Sequence, residues 1–382
     1  MSININNIDF NINPEDDFYH FCNGKWIANN KIPKKYSIWN TFNELNDKNK
    51  LKIKKIINDC KNSNQHIQQL ISTMYKNGLN TTKRNKQDIE YIIPFIDKIN
   101  NLSYKKDISK IVSLFHQNGL NCLFYTYVGA DSKESTVNRL HLAHSYLGLP
   151  NKDYYTKKNF ESIRKEYKSY LYKLLKPIKN KYNLDKDYQD NIFNFEKNIA
   201  SITLSEANKR NSIKRYHKIN LNQFCKKHTY FDWKNYFNDL GIHTDTLIYD
   251  DFNFYKGLDN LIKNKSISEW KNYFYYCLFD SLSSYLSEYY VTLQFDFYGK
   301  ILSGKKIKEP KWETNVNIVN SYLDDAIGEL FVKKYFDNKS KDYVEKMIIN
   351  FKKTFATMID NLEWMTEKTK EESKKKLKRI TF

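Results

Sequence analysis

Apolar residues recur along much of the chain at steps of three and four, the spacing that lines one face of a helix. Phe42, Leu45, Ile53, Ile56, Ile57 and Cys60 fall mostly on one such stripe, and Thr41 with Glu44 makes a capping-box start for it. The cleanest run opens at Val344, where Met347, Ile348, Phe351, Phe355, Met358, Ile359 and Leu362 predict a long amphipathic helix. Between Trp270 and Val291 aromatic and apolar residues occupy most faces, which predicts a helix buried among others. Two shorter runs, Cys122 to Val128 and Leu293 to Tyr298, suit strands, but they are too brief for period to separate strand from helix. Turns are expected at Ile32-Pro33, Gly148-Leu149-Pro150 and Glu309-Pro310. With ten Gly, six Pro, no internal repeat and no low-complexity linker, the pattern predicts a mainly α fold with few short strands.

Composition adds bounds to this picture. In 382 residues, 40% hydrophobic and 16% aromatic content is enough for two or three structural units. The formal charge of +19 raises the question of nucleic acid. Only Arg84, Arg139, Arg164, Arg210, Arg215 and Arg379 carry the bidentate guanidinium that specific recognition favours; the other basic residues are lysines spread among Asn, Ile and Tyr. Codon supply in an A/T-rich genome accounts for that bias, so no specific nucleic-acid partner is expected, only weak, salt-sensitive affinity for polyanions. Met1 to Asn13 lacks a basic region followed by an apolar run, and no later segment is charge-free over a membrane-spanning length. We therefore expect a soluble, cytoplasmic chain with no membrane partner. Cys22, Cys60, Cys122, Cys225 and Cys277 are odd in number and widely spaced, which predicts reduced thiols.

Candidate chemistry is sparse. Gly299-Lys300-Ile301-Leu302-Ser303-Gly304-Lys305-Lys306 nearly spells a phosphate-binding loop, but Lys306 replaces the Ser or Thr that holds Mg²⁺. His141 and His144 would share a face of a helix, with no acidic residue or cysteine close in sequence to complete a metal site; a structural pair is expected. Asp16-Asp17 and Asp324-Asp325 suit capping or surface roles, since neighbouring helix positions do not face each other. Lys374-Lys375-Lys376-Leu377-Lys378-Arg379 suits a helix C-terminus. No G-x-S-x-G elbow occurs, and none of the eight histidines is followed by Glu, so H-E-x-x-H is absent.

Collinear blocks nevertheless resemble one family. Pro14-Glu15-Asp16-Asp17-Phe18-Tyr19, Asn23-Gly24-Lys25-Trp26 and Ile32-Pro33 resemble the opening signature of the neprilysin and endothelin-converting-enzyme family of zinc metallopeptidases. Leu147 to Tyr155 is similar to its G-L-P-x-x-x-Y-Y element. Phe295 to Lys300, Leu302-Ser303-Gly304 and Lys311-Trp312 resemble its F-x-F-Y-G block, and Val332 to Phe336 and Leu362 to Met365 complete the series.

The resemblance covers the family's N-terminal portion; the N-A-[FY]-Y, H-E-x-x-H and E-x-x-x-D elements are not in this chain. It implies two mainly helical lobes around a chamber that admits short peptides, with residues 1–205 packed on the zinc lobe and 206–382 forming a helical lid. Zinc is implied only for the C-terminal part, whether that part is lost, separately encoded or cut from this sequence; a separate polypeptide carrying it is the candidate partner, and this chain is expected to bind no cofactor and to be inactive alone. No catalytic or metal residue is assigned, and substrate-binding residues remain unassigned. Ile38 stands where some members have an arginine that contacts the substrate carboxylate, and Cys22 where intracellular relatives often have Val or Ala. A stand-alone peptide- or partner-binding helical protein derived from that family is the alternative.

Overall fold

The computed structural model describes residues 4–144 and 147–382. They are mainly helical, with four strands forming one small sheet. Compactness divides them into two units, one holding the described residues up to Ile38 with Thr81–Lys308, the other Trp39–Asn80 with Glu309–Phe382.

The first unit owns the large core, a continuous set of buried residues from Ile92 to Phe297. The cut expected at Ser205 falls inside that core, because the Tyr188–Ile202 helix packs on Phe252–Asn264 and Ile267–Leu282 from beyond it. Ile267–Leu282 starts at a capping box between Ser266 and Glu269 and buries residues on most of its faces, as the density of aromatics predicts. The helix ends at Leu282 with the buried Ser283 as its C-cap, and the chain turns helical again at Glu288–Gln294.

Strands β1 (Phe124–Asp131) and β2 (Glu134–His144) form an antiparallel hairpin. β3 (His217–Asn220) and β4 (Thr246–Tyr249) extend the sheet in the order β1-β2-β4-β3, with β2 and β4 parallel. The hairpin turn is tied to β3 through Asp131, which is fully buried and accepts bonds from the Lys133 amide, the Tyr216 hydroxyl (2.8 Å) and the Lys218 ammonium (3.0 Å). The Lys133 amide bond first, then the Lys218 and Tyr216 side chains, hold its carboxyl well below the usual range.

Leu293 to Tyr298 is not a strand. It lies in the end of Glu288–Gln294 and in a π-helical segment, Phe295–Leu302. The turn at Gly304, with φ +72°, closes that segment, a conformation costly for any residue with a Cβ. The near phosphate-loop sequence is therefore helix and turn, with no strand-loop-helix cradle.

In the second unit, Thr41–Asp59 buries Ile56 and Ile57 with Ile71, Tyr75, Val316, Val319 and Ile327. Asn40, not Thr41, is its N-cap, accepting from the Asn43 amide at 3.0 Å. Lys50, 5% exposed, is held by Glu313 (3.5 Å) and Glu309 (3.6 Å), so its buried charge is compensated. The predicted long helix is Asn338–Asp360, but only Ile359 of its stripe is buried.

Candidate functional site: a buried carboxyl seam

The sequence blocks that lie far apart along the chain meet inside the first unit. Tyr155 turns its hydroxyl back to accept from the Leu149 amide at 3.1 Å, closing the Gly148 to Tyr155 segment on itself. The Gly148 amide donates to Glu196 Oε1 at 2.9 Å, and Tyr167 donates its hydroxyl to Glu196 Oε2 at 2.6 Å. Tyr167 and Tyr276 hydroxyls lie 3.0 Å apart. Beyond them Asp280 Oδ1 accepts from Tyr170 at 2.6 Å and from Tyr298 of the F-x-F-Y-G block at 3.0 Å. Phe297 of that block stacks on the Tyr170 ring at 5.3 Å.

Gly148 is required where it sits, since a Cβ there would lie 2.0 Å from the Tyr167 hydroxyl and 2.2 Å from that of Tyr276. Burial pushes the Glu196 carboxyl up to about 7, against the opposing bonds from Tyr167 and Gly148. Burial likewise raises Asp280. A cavity of about 350 Å³ borders the seam, lined by Glu196, Asp280, Tyr273, Tyr276, Gln294 and Tyr298. Its carboxyls are already bonded to tyrosines and the Gly148 amide, so the seam fixes the relative position of four elements and holds a proton.

Other positions singled out in sequence are dispersed. His141 and His144 lie on β2 and not on a helix. His141 stacks on Tyr127 and contacts the Gly129 carbonyl, while His144 Nδ1 is 2.7 Å from Asp250. The zinc that the resemblance implies does not fit this pair, and among the described residues no three His, Cys, Asp or Glu gather as a metal site. Asp17 is the N-cap of Phe18–Asn29, bonded to the His20 amide at 2.9 Å. Asp324 and Asp325 open the Asp324–Tyr335 helix, and Lys375, Lys376 and Lys378 close Glu367–Lys378. All five cysteines are free thiols. Among the described residues no helix is long and apolar enough to cross a membrane.

Glu196 and Asp280 escaped sequence reasoning. A signal existed: each is a lone carboxyl among apolar neighbours, Glu196 beside Phe193, Phe195 and Ile199, Asp280 after Leu278 and Phe279. Nothing local identified the tyrosines that bond them, because those lie 18 to 110 residues away.

Comparison with known proteins accounts for the convergence of these blocks. The chain is 25% identical to mouse endothelin-converting enzyme 1 over 387 residues, 97% of this chain and 50% of that protein. It is 26% identical to Neprilysin-3 of Drosophila melanogaster, over 99% of this chain and 51% of the relative. The zinc metalloprotease ZMP1 of Mycobacterium tuberculosis, solved with an inhibitor, shares the fold at a TM-score of 0.92 and 21% identity, over 99% of this chain and 58% of that one. This chain thus spans about half the length of the curated relatives it matches. Residues 14–382 match the N-terminal profile of peptidase family M13, and the chain belongs to that family.

Proposed function

We propose that the chain forms the wall and lid of a chamber admitting short peptides in a neprilysin-like zinc peptidase, with a separate polypeptide supplying the metal-bearing segments. The observation that carries this reading is the collinear match of residues 14–382 to the N-terminal region of the family. The state of the second unit supports it. Val344, Met347, Phe351, Phe355 and Met358 form one exposed apolar stripe on Asn338–Asp360, a surface suited to a protein partner. The first unit, with its closed aromatic core, supplies the rigid shell. A cytoplasmic location fits the five free thiols. By itself the chain hydrolyses no peptide bond.

The purified chain is to be assayed on short fluorogenic peptides with added zinc, with chelator, and with the product of a reading frame from the same genome that encodes H-E-x-x-H. Activity is expected only in the mixture. Chelator-sensitive hydrolysis by the chain alone would overturn the proposal. The alternative, a stand-alone peptide- or partner-binding protein, is favoured by the self-contained core of the first unit, and it predicts a monodisperse monomer whose elution is unchanged by that product.

A further inference from the structure

We infer that a second cavity, at the carboxyl ends of β2 and β4, binds a small zwitterion of the amino-acid class. These parallel strands carry His144 at the end of one and Asp250 directly after the other. A crevice opens outside the two strand ends, the position where open sheets with parallel strands take ligands. Its volume is about 150 Å³. A cavity of about that size holds a molecule as large as benzene, so a small amino acid fits.

The wall carries two unmet demands of opposite kind. Asp250, 5% exposed, accepts at Oδ2 from His144, through Nδ1 at 2.7 Å and the amide at 3.2 Å, while its Oδ1 is buried without a partner among the described residues. Arg215 donates from Nη1 to the Lys209 carbonyl at 3.4 Å, and its Nε is buried without a partner among the described residues. Both residues line the same cavity without pairing with each other. One group needs a donor and the other an acceptor, and a buried charged group is costly to leave unpaired.

A molecule with an ammonium and a carboxylate one carbon apart answers both. The ammonium goes to Asp250, the carboxylate to Arg215, and a small side chain rests on Leu147 and Pro150, while the Lys209 ammonium is already held by Glu206 at 2.8 Å. An inorganic anion would meet Arg215 and face the Asp250 carboxylate. A metal cation would meet Asp250 and face the Arg215 guanidinium. The site needs neither zinc nor a second polypeptide, so its test is independent of the peptidase reading.

Titration calorimetry on the full chain, with L-alanine against acetate, methylamine and inorganic phosphate, decides the matter. Alanine is expected to bind at least about tenfold more tightly than any of the other three, and Asp250→Asn and Arg215→Gln are each expected to weaken it about tenfold or more. Asp250→Asn also disturbs His144; should that variant not fold, Arg215→Gln, verified by its circular-dichroism melt, carries the test. Alanine binding no tighter than acetate or methylamine, or unchanged in folded Arg215→Gln, would overturn the inference.

Discussion

Two helices of this chain announce themselves by hydrophobicity, and the structure treats them oppositely. Ile267–Leu282 buries Trp270, the unbroken run Tyr273 to Phe279 and even Asn272. Asn338–Asp360 is longer and has the more regular apolar period, yet Phe351 is 62% exposed and Ile359 alone is buried. Periodicity reports that a face wants covering; it does not report whether this polypeptide covers it. The difference separates a region that completes its own core from one whose apolar face is left open.

Truncation should separate the two helices most sharply. Phe274, fully buried and edge-on to Phe115 at 5.8 Å, is expected to cost about 3–5 kcal/mol when changed to alanine, through lost transfer energy and the cavity left behind. Urea melts of Phe274→Ala against Phe351→Ala measure the contrast. Equal effects would mean that the exposed stripe is part of the chain's own core.

The seam beside Ile267–Leu282 should give the completed region a pH signature. Folded chain holds the Glu196 proton up to about pH 7, while an ordinary glutamate, at 4.5, has released it. Between those values the folded state binds more protons than the unfolded, so this group's contribution to stability falls as pH rises from about 4.5 to about 7 and is level above. The full swing is on the order of 3 kcal/mol. Glu196→Gln keeps an acceptor for the Gly148 amide and removes the titration. Subtracting its pH-stability profile from that of the parent chain isolates the effect, and a difference flat from pH 4.5 to 7 contradicts the assignment.

Gly148→Ala probes the same seam by volume. The added methyl must displace the Tyr167 and Tyr276 hydroxyls, both anchored to the buried network, and a cost of about 1–3 kcal/mol is expected by thermal melt. A neutral result would mean that the tyrosines yield freely.

Much of this was legible in the chain, and the gaps have physical causes. Helical class, the N-cap at Asp17 and the turn at Gly148 follow from local rules of spacing and backbone preference. Residues 293–298 stayed open between strand and helix because six residues cannot reveal a period, and a π-helical segment shifts the phase that would. Glu196, Asp280 and Asp250 were not found because a buried carboxyl is defined by partners distant in sequence. The match of spaced blocks carried the family; it could not say that Gly148 and Tyr298 serve one network.

The smallest expected effect on stability bears most on function. Phe351 and Phe355 are 62% and 51% exposed, four residues apart on one face. Replacing both with serine removes apolar area that is already in water, so the stability of the isolated chain should change by no more than about 0.5 kcal/mol. The consequence lies in association. If a second polypeptide covers this stripe, the double variant loses binding to it and, with that, any peptidase activity of the mixture, while the melting curve stays in place. Size-exclusion chromatography of the mixture and parallel melts of the chain read the two outcomes separately. A large loss of stability with binding intact would move the stripe from the partner's surface to this chain's own core, and the contrast between the two helices would vanish.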